Sequence, residues 1–142
     1  MGKSIDRQGK HVRQKYGQKI EKTIRQVKRK KELTGNEILA AAQASLKTMG
    51  IQHAIYTHPL GVYGHAPGPT IGMWDNQGPT VGRGDWPLYP MTGYAIEGNV
   101  TVAIPEWSGQ LVQMKLEQSA LFDGERVHYL ADRQKALHVV GF

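Results

Sequence analysis

The chain has no cysteine, which removes disulfides, zinc–thiolate centres and thiol nucleophiles from consideration. It also has no apolar run near the roughly 20 residues that a membrane-spanning helix needs. The opening MGKSIDRQGKHVRQ contains no apolar core of the kind a secretory leader carries, so a cytoplasmic location is expected. Aromatic residues make up only 8% of the 142 residues, and hydrophobic residues 39%. That apolar content is low for a globular chain, and one very polar segment lowers it.

The polar segment is the N-terminal one. Residues 1–31 carry 12 of the 18 Lys and Arg and only Asp6 and Glu21 as acids, a net +10. Residues 32–142 carry 6 basic and 10 acidic residues, a net −4. The overall +6 is therefore a mildly acidic body with a basic arm. In residues 5–31, Ile5, Val12, Tyr16, Ile20, Ile24 and Val27 recur at close to helical spacing, a thin apolar stripe on a charged helix. Such an arm could grip nucleic acid, but Tyr16 is its lone aromatic and nothing interleaves to stack on bases, so nucleic acid is not the expected partner. A solvated helix docked by its stripe, or a frayed terminus, is the plainer reading.

Thr34-Gly35-Asn36-Glu37 has the form of a capping box. Ile38, Leu39, Ala42, Leu46 and Met49 follow on one face and Gly50 is a natural stop, so the spacing predicts a helix over 35–49. Ile51–Tyr56 has strand character. From Pro59 to Pro90 glycine and proline are so dense that loop with brief strands is expected, and an ordered loop this long is usually functional. Residues 93–104 alternate, with Tyr94, Ile96, Val100, Val102 and Ile104 on one side and Glu97, Asn99, Thr101 and Ala103 on the other. Gly98 interrupts the first set, as at a bulge or a close approach. Pro105 closes the strand, Trp107–Gln110 turns the chain, and Val112, Met114 and Leu116 alternate with Gln113, Lys115 and Glu117. A third strand is expected around Arg126–Leu130 after Gly124, and a short strand or tail over Lys135–Val140. The fold class is α+β, N-terminal helices followed by a twisted antiparallel sheet. Residues 1–33 form the arm and 34–142 the domain.

Four residues stand out chemically. His58 and His65 flank the Gly-rich stretch THPLGVYGHAPGP, where backbone can come close to a ligand. Glu97 and Glu117 point away from the aliphatic faces of two strands that a hairpin near residue 107 would set opposite each other. Two facing carboxylates repel unless a cation lies between them. One His with two carboxylates suits divalent manganese, cobalt, iron or zinc. The bland alternative is a pair of loop histidines and two solvated glutamates.

Thr57-His58-Pro59-Leu60-Gly61-Val62-Tyr63-Gly64-His65 resembles the two-histidine motif of the pita-bread metallopeptidases, the family of methionine aminopeptidase, Xaa-Pro aminopeptidase, prolidase and creatinase. Pro90–Glu97 is similar to the family's segment ending in a ligand Glu, and Lys115-Leu116-Glu117-Gln118 to its final ligand strand. Gly-His-Ala-Pro-Gly-Pro-Thr-Ile-Gly-Met-Trp-Asp looks closest to the Xaa-Pro aminopeptidase side. The resemblance covers 51–142 and implies metal ligands at His58, Glu97 and Glu117, with His65 as the catalytic contact to substrate and oxyanion. It implies a peptide substrate with penultimate proline. The family's two Asp ligands have no counterpart upstream of Thr34, where Asp6 is the sole Asp. Asp75 and Asp85 are ten apart but follow the His motif, and Glu106 is a second candidate for the first Glu. The expectation is a C-terminal half only, keeping one ion or none and little or no peptidase activity. A homodimer or a complementing polypeptide is the partner such a half-domain implies. The alternative is a non-catalytic binding or homodimerisation module with a basic arm.

Overall fold

A computed structural model describes residues 33–133. The basic arm over 5–31 and the strand or tail over 135–140 lie outside the described residues. Among the described residues one helix precedes an antiparallel sheet of five strands, so the α+β expectation holds at that level. No described helix is long and apolar enough to cross a membrane.

Helix α1 spans Gly35–Lys47. Its capping box is complete: the Glu37 amide donates to Thr34 Oγ1 at 3.2 Å, and the Thr34 amide donates to Glu37 Oε2 at 2.9 Å. The helix ends two residues before the expected 49. There the Thr48 hydroxyl donates to the Ser45 carbonyl at 2.7 Å, and Gly50 takes the left-handed φ of +64° that turns the chain away. Ile38, Leu39, Ala42 and Leu46 are buried against the sheet, as the 3.6-residue spacing required.

Strands β1 (Gln52–Ile55), β2 (His58–Pro59), β3 (Thr92–Ile104), β4 (Gln110–Phe122) and β5 (Val127–Tyr129) form one sheet. β1 and β2 both pair with one edge of β3, whose other edge pairs with β4, and β4 pairs with β5. The β3–β4 hairpin turns through Pro105–Trp107, followed by Ser108 in a left-handed conformation. Tyr94, Val100 and Ile104 of β3 are buried with Ile51, Ile55, Ile71 and Phe122 beneath α1. The alternate residues of each strand necessarily face the other side. Gly98 is no bulge, since Cα pairing runs unbroken through it. A Cβ there would lie 2.8 Å from the Ala54 carbonyl oxygen, so β1 can approach only because residue 98 has no side chain.

The Gly/Pro-rich segment 59–90 is ordered by side chains. Asn36 Nδ2 donates to Asp85 Oδ1 at 2.8 Å and to the Thr80 carbonyl at 3.2 Å, and its Oδ1 accepts from the Thr80 amide at 2.9 Å. Gln77 does something similar for β1. Its Oε1 accepts from the Ile55 amide and its Nε2 donates to the Ile55 carbonyl, both at 2.9 Å. One carboxamide thus fills the bonding positions of a neighbouring strand. At the other end of β1, His53 Nδ1 lies 2.8 Å from the Ile51 carbonyl oxygen. The outer edge of β1 is blunted at both ends.

At the opposite side of the sheet, the Asp123 carboxylate accepts from the amides of Glu125 and Arg126 at 2.7 and 2.6 Å. These bonds, with the neighbouring His128, hold its carboxyl well below the usual carboxylate range.

Candidate metal centre on the open sheet face

The register brings His58, Glu97 and Glu117 to one face of the sheet, the face turned away from α1. His58 pairs with Ala95, so it shares the side on which Glu97 projects. Glu97 pairs directly with Glu117. The Glu97 carbonyl accepts from the Tyr56 amide at 3.2 Å, and its amide donates to Thr57 Oγ1 at 3.3 Å. Both backbone groups of Glu97 therefore point away from β4. The Glu97–Glu117 pair is of the non-hydrogen-bonded kind, with Cα atoms about 4.5 Å apart and side chains at their closest. Two like charges occupy a position where cross-strand neighbours interact most strongly.

His58 has oxygen acceptors at both ring nitrogens. Nδ1 lies 2.9 Å from the Pro59 carbonyl, which can only accept, so Nδ1 carries a proton. Nε2 lies 2.8 Å from Glu97 Oε1. The ring is thereby fixed, with Nε2 against the Glu97 carboxylate. A histidine that donates one N–H to a backbone carbonyl while presenting the other nitrogen beside a carboxylate has the arrangement that metal-binding imidazoles adopt. His58 and Glu97 are both partly buried, at 17% and 21% exposure.

His65 stacks on His58, with ring centroids 4.2 Å apart and planes at 18°. The turn that returns it is closed by the Gly64 amide donating to the Gly61 carbonyl and the Ala66 amide to the Pro59 carbonyl, both at 3.0 Å. A Cβ on Gly61 would meet the His65 carbonyl oxygen at 2.5 Å, so the glycine between the two histidines is what lets the turn close.

His58 touches both Glu97 and His65, and Glu117 is an exposed neighbour across the β3–β4 pair. Among the described residues no three His, Asp or Glu side chains converge closely enough to hold a metal ion. The donor types fit a divalent cation, and His58 with Glu97 supply two oriented donors. Glu117 would have to turn toward them to supply the third. Glu106 sits in the hairpin turn after β3, away from this constellation. Asp85 is taken up by Asn36 and by the Gly82 amide at 2.9 Å. Asp75 is exposed in the turn closed by Met73 and Asn76.

Thr57 was not singled out by sequence pattern. It is 2% exposed, its hydroxyl receives the Glu97 amide, and its backbone exchanges two hydrogen bonds with Ile71 at 3.1 and 2.9 Å. It anchors the start of β2 to β3. Its position beside His58 is the one signal in the sequence that could have pointed to it. Comparison of the chain with protein-family models, with curated proteins and with solved structures found no match.

Proposed function

We propose that His58, Glu97 and Glu117 hold one divalent cation, and that the sheet is the C-terminal half of a pita-bread metallopeptidase-like domain. The observation that carries this reading is the fixed His58 ring, with Nδ1 on the Pro59 carbonyl and Nε2 on Glu97, beside a directly opposed pair of carboxylates. A bound divalent ion of this kind supplies Lewis-acid polarisation of a carbonyl and an activated water. The chain's own residues do the positioning. Pro59 sets the tautomer of His58, Thr57 fixes the backbone of Glu97, and His65, stacked on His58, is the residue that would donate to an oxygen of a ligand there. These 142 residues offer three of the family's five ligands, and three donors suit one ion with open positions better than two ions. The substrate class is a peptide with proline in second position. Turnover by this chain alone is expected to be slow or absent.

Calorimetric titration with manganese and with zinc tests the reading. The expected result is one ion per chain, lost in a His58→Ala, Glu117→Ala double variant. Equal heats in the double variant would leave the sheet face as a binding or dimerisation surface without metal chemistry. Rapid manganese-dependent cleavage of prolyl peptides by the isolated chain would refute the incomplete-ligand argument.

A further inference from the structure

The two sides of the sheet end differently. The outer edge of β1 is plugged by Gln77 and His53. β4 outruns its neighbour: β5 pairs with Ala120–Phe122, and the Leu130 amide donates to the Ser119 carbonyl at 3.1 Å. Among the described residues no strand lies beside Leu111 to Glu117 on the side away from β3. The register fixes which groups face that side. Glu97 and Glu117 form a non-hydrogen-bonded pair, so alternation turns the N–H and C=O of Leu111, Gln113, Lys115 and Glu117 outward. The Ser119 carbonyl, bonded to Leu130, shows the same parity. The stretch holds no proline or glycine, its pairing to β3 is unbroken, and the charges of Lys115 and Glu117 cancel. A long, flat edge of zero net charge is a template for another strand.

We propose that a second copy of this chain occupies the edge, its β4 antiparallel to the first about a two-fold axis through Met114. The two sheets then join into one. The strand suits itself as a partner in this register. With the axis at Met114, Leu111 to Glu117 pairs with its own counterpart end to end. An axis at Lys115 would set the two lysines against each other. An axis at Leu116 would drive Val112 into the place where Tyr129 of the second copy pairs with Ala120. An axis at Gln113 would bring Gly109, held at a left-handed φ of +78°, opposite Glu117. At Met114, Leu111 meets Glu117 and Gln113 meets Lys115, each twice, for about eight backbone hydrogen bonds. On the side of the sheet that carries α1, Val112 meets Leu116 and the two Met114 side chains meet each other. These three are half-buried in one copy, and Val112 and Met114 already pack on its core, so the apolar layer runs on across the axis. The proposal does not rest on the metal reading.

The lack of cysteine makes the register testable in the full chain. A Met114→Cys substitution introduces the sole thiol, on the axis in a non-hydrogen-bonded pair, with Cα atoms about 4.5 Å apart and within disulfide reach. Mild oxidation is expected to join copies at least about 10-fold faster through Met114→Cys than through Leu116→Cys, whose two positions stand four residues out of step. Sedimentation equilibrium of the unsubstituted chain is expected to show a dimer. Lys115→Pro should raise its dissociation constant about 10-fold or more, because proline removes one outward N–H from each copy and leaves the β3–β4 ladder whole. Lys115→Ala keeps that N–H and should sediment as the parent does. Equal cross-linking at the two positions, a parent chain that is monomeric at every concentration, or a folded Lys115→Pro chain that dimerises as the parent does would each overturn the proposal. The cross-linking comparison needs no proline and decides the register by itself.

Discussion

At the scale of single residues, the side chains that matter most are held by backbone atoms. The Pro59 carbonyl sets which nitrogen of His58 is protonated, and the Thr57 hydroxyl takes the amide of Glu97. Tyr94 shows the reverse case. Its hydroxyl is buried and makes no full hydrogen bond among the described residues, and burial pushes its pKa from 10.0 to about 12, only partly offset by the Tyr89 backbone. A raised folded-state pKa favours the neutral phenol in the native protein. Its contribution to stability is therefore complete below pH 10 and is lost as pH climbs from 10 through about 12. Tyr94→Phe should change stability at neutral pH by no more than about 1 kcal/mol, since no good hydrogen bond is removed. It should also flatten the alkaline limb of a denaturant-midpoint profile. An unaltered limb would show that other groups govern alkaline unfolding.

At the scale of elements, the β3–β4 hairpin does the most for the proposed site. Its register follows from alternation that is plain in the sequence: placing Tyr94, Val100 and Ile104 in the core forces Glu97 outward, and Pro105 with the turn that follows sets Glu117 against it. That pairing and the helix with its capping box were legible because each depends on neighbours close in sequence or on strict period. The path of 59–90 was not. It is held by Asn36 reaching Thr80 and Asp85, and by Gln77 reaching Ile55, contacts 22 to 49 residues apart that follow no pattern. The convergence of His58 on Glu97, 39 residues on, became legible through a motif resemblance and not through periodicity. Opposed carboxylates also separate function from stability. Glu117→Gln removes a like-charge repulsion, so the metal-free chain should gain about 0.2–1 kcal/mol. The same change should weaken manganese binding. A variant that loses stability, or that binds manganese as before, would argue that Glu117 is an ordinary surface residue.

At the scale of the whole molecule, the sheet presents two faces of different character and one guarded edge. The inner face is filled by α1 and the loop residue Ile71, while the outer face carries polar groups spaced along β2, β3 and β4. The guard on β1 is a side-chain amide, which gives it a chemical lifetime that a backbone strand does not have. Hydrolysis of the Gln77 carboxamide, in a Gln-Gly sequence with no side chain after it to hinder attack, would replace the donor Nε2 with oxygen. That oxygen would then confront the carbonyls of Ile55 and Met73, which Nε2 now binds at 2.9 and 2.7 Å. Gln77→Glu mimics the aged protein, and it should cost about 1–3 kcal/mol through the stranded carbonyls. It should also raise the rate of light-scattering growth on storage, because an unguarded strand edge recruits other chains. Equal stability and equal scattering would show that the plug is dispensable. If they differ, this protein carries a clock, and its tendency to self-associate is set by how long it has existed as well as by how much of it is present.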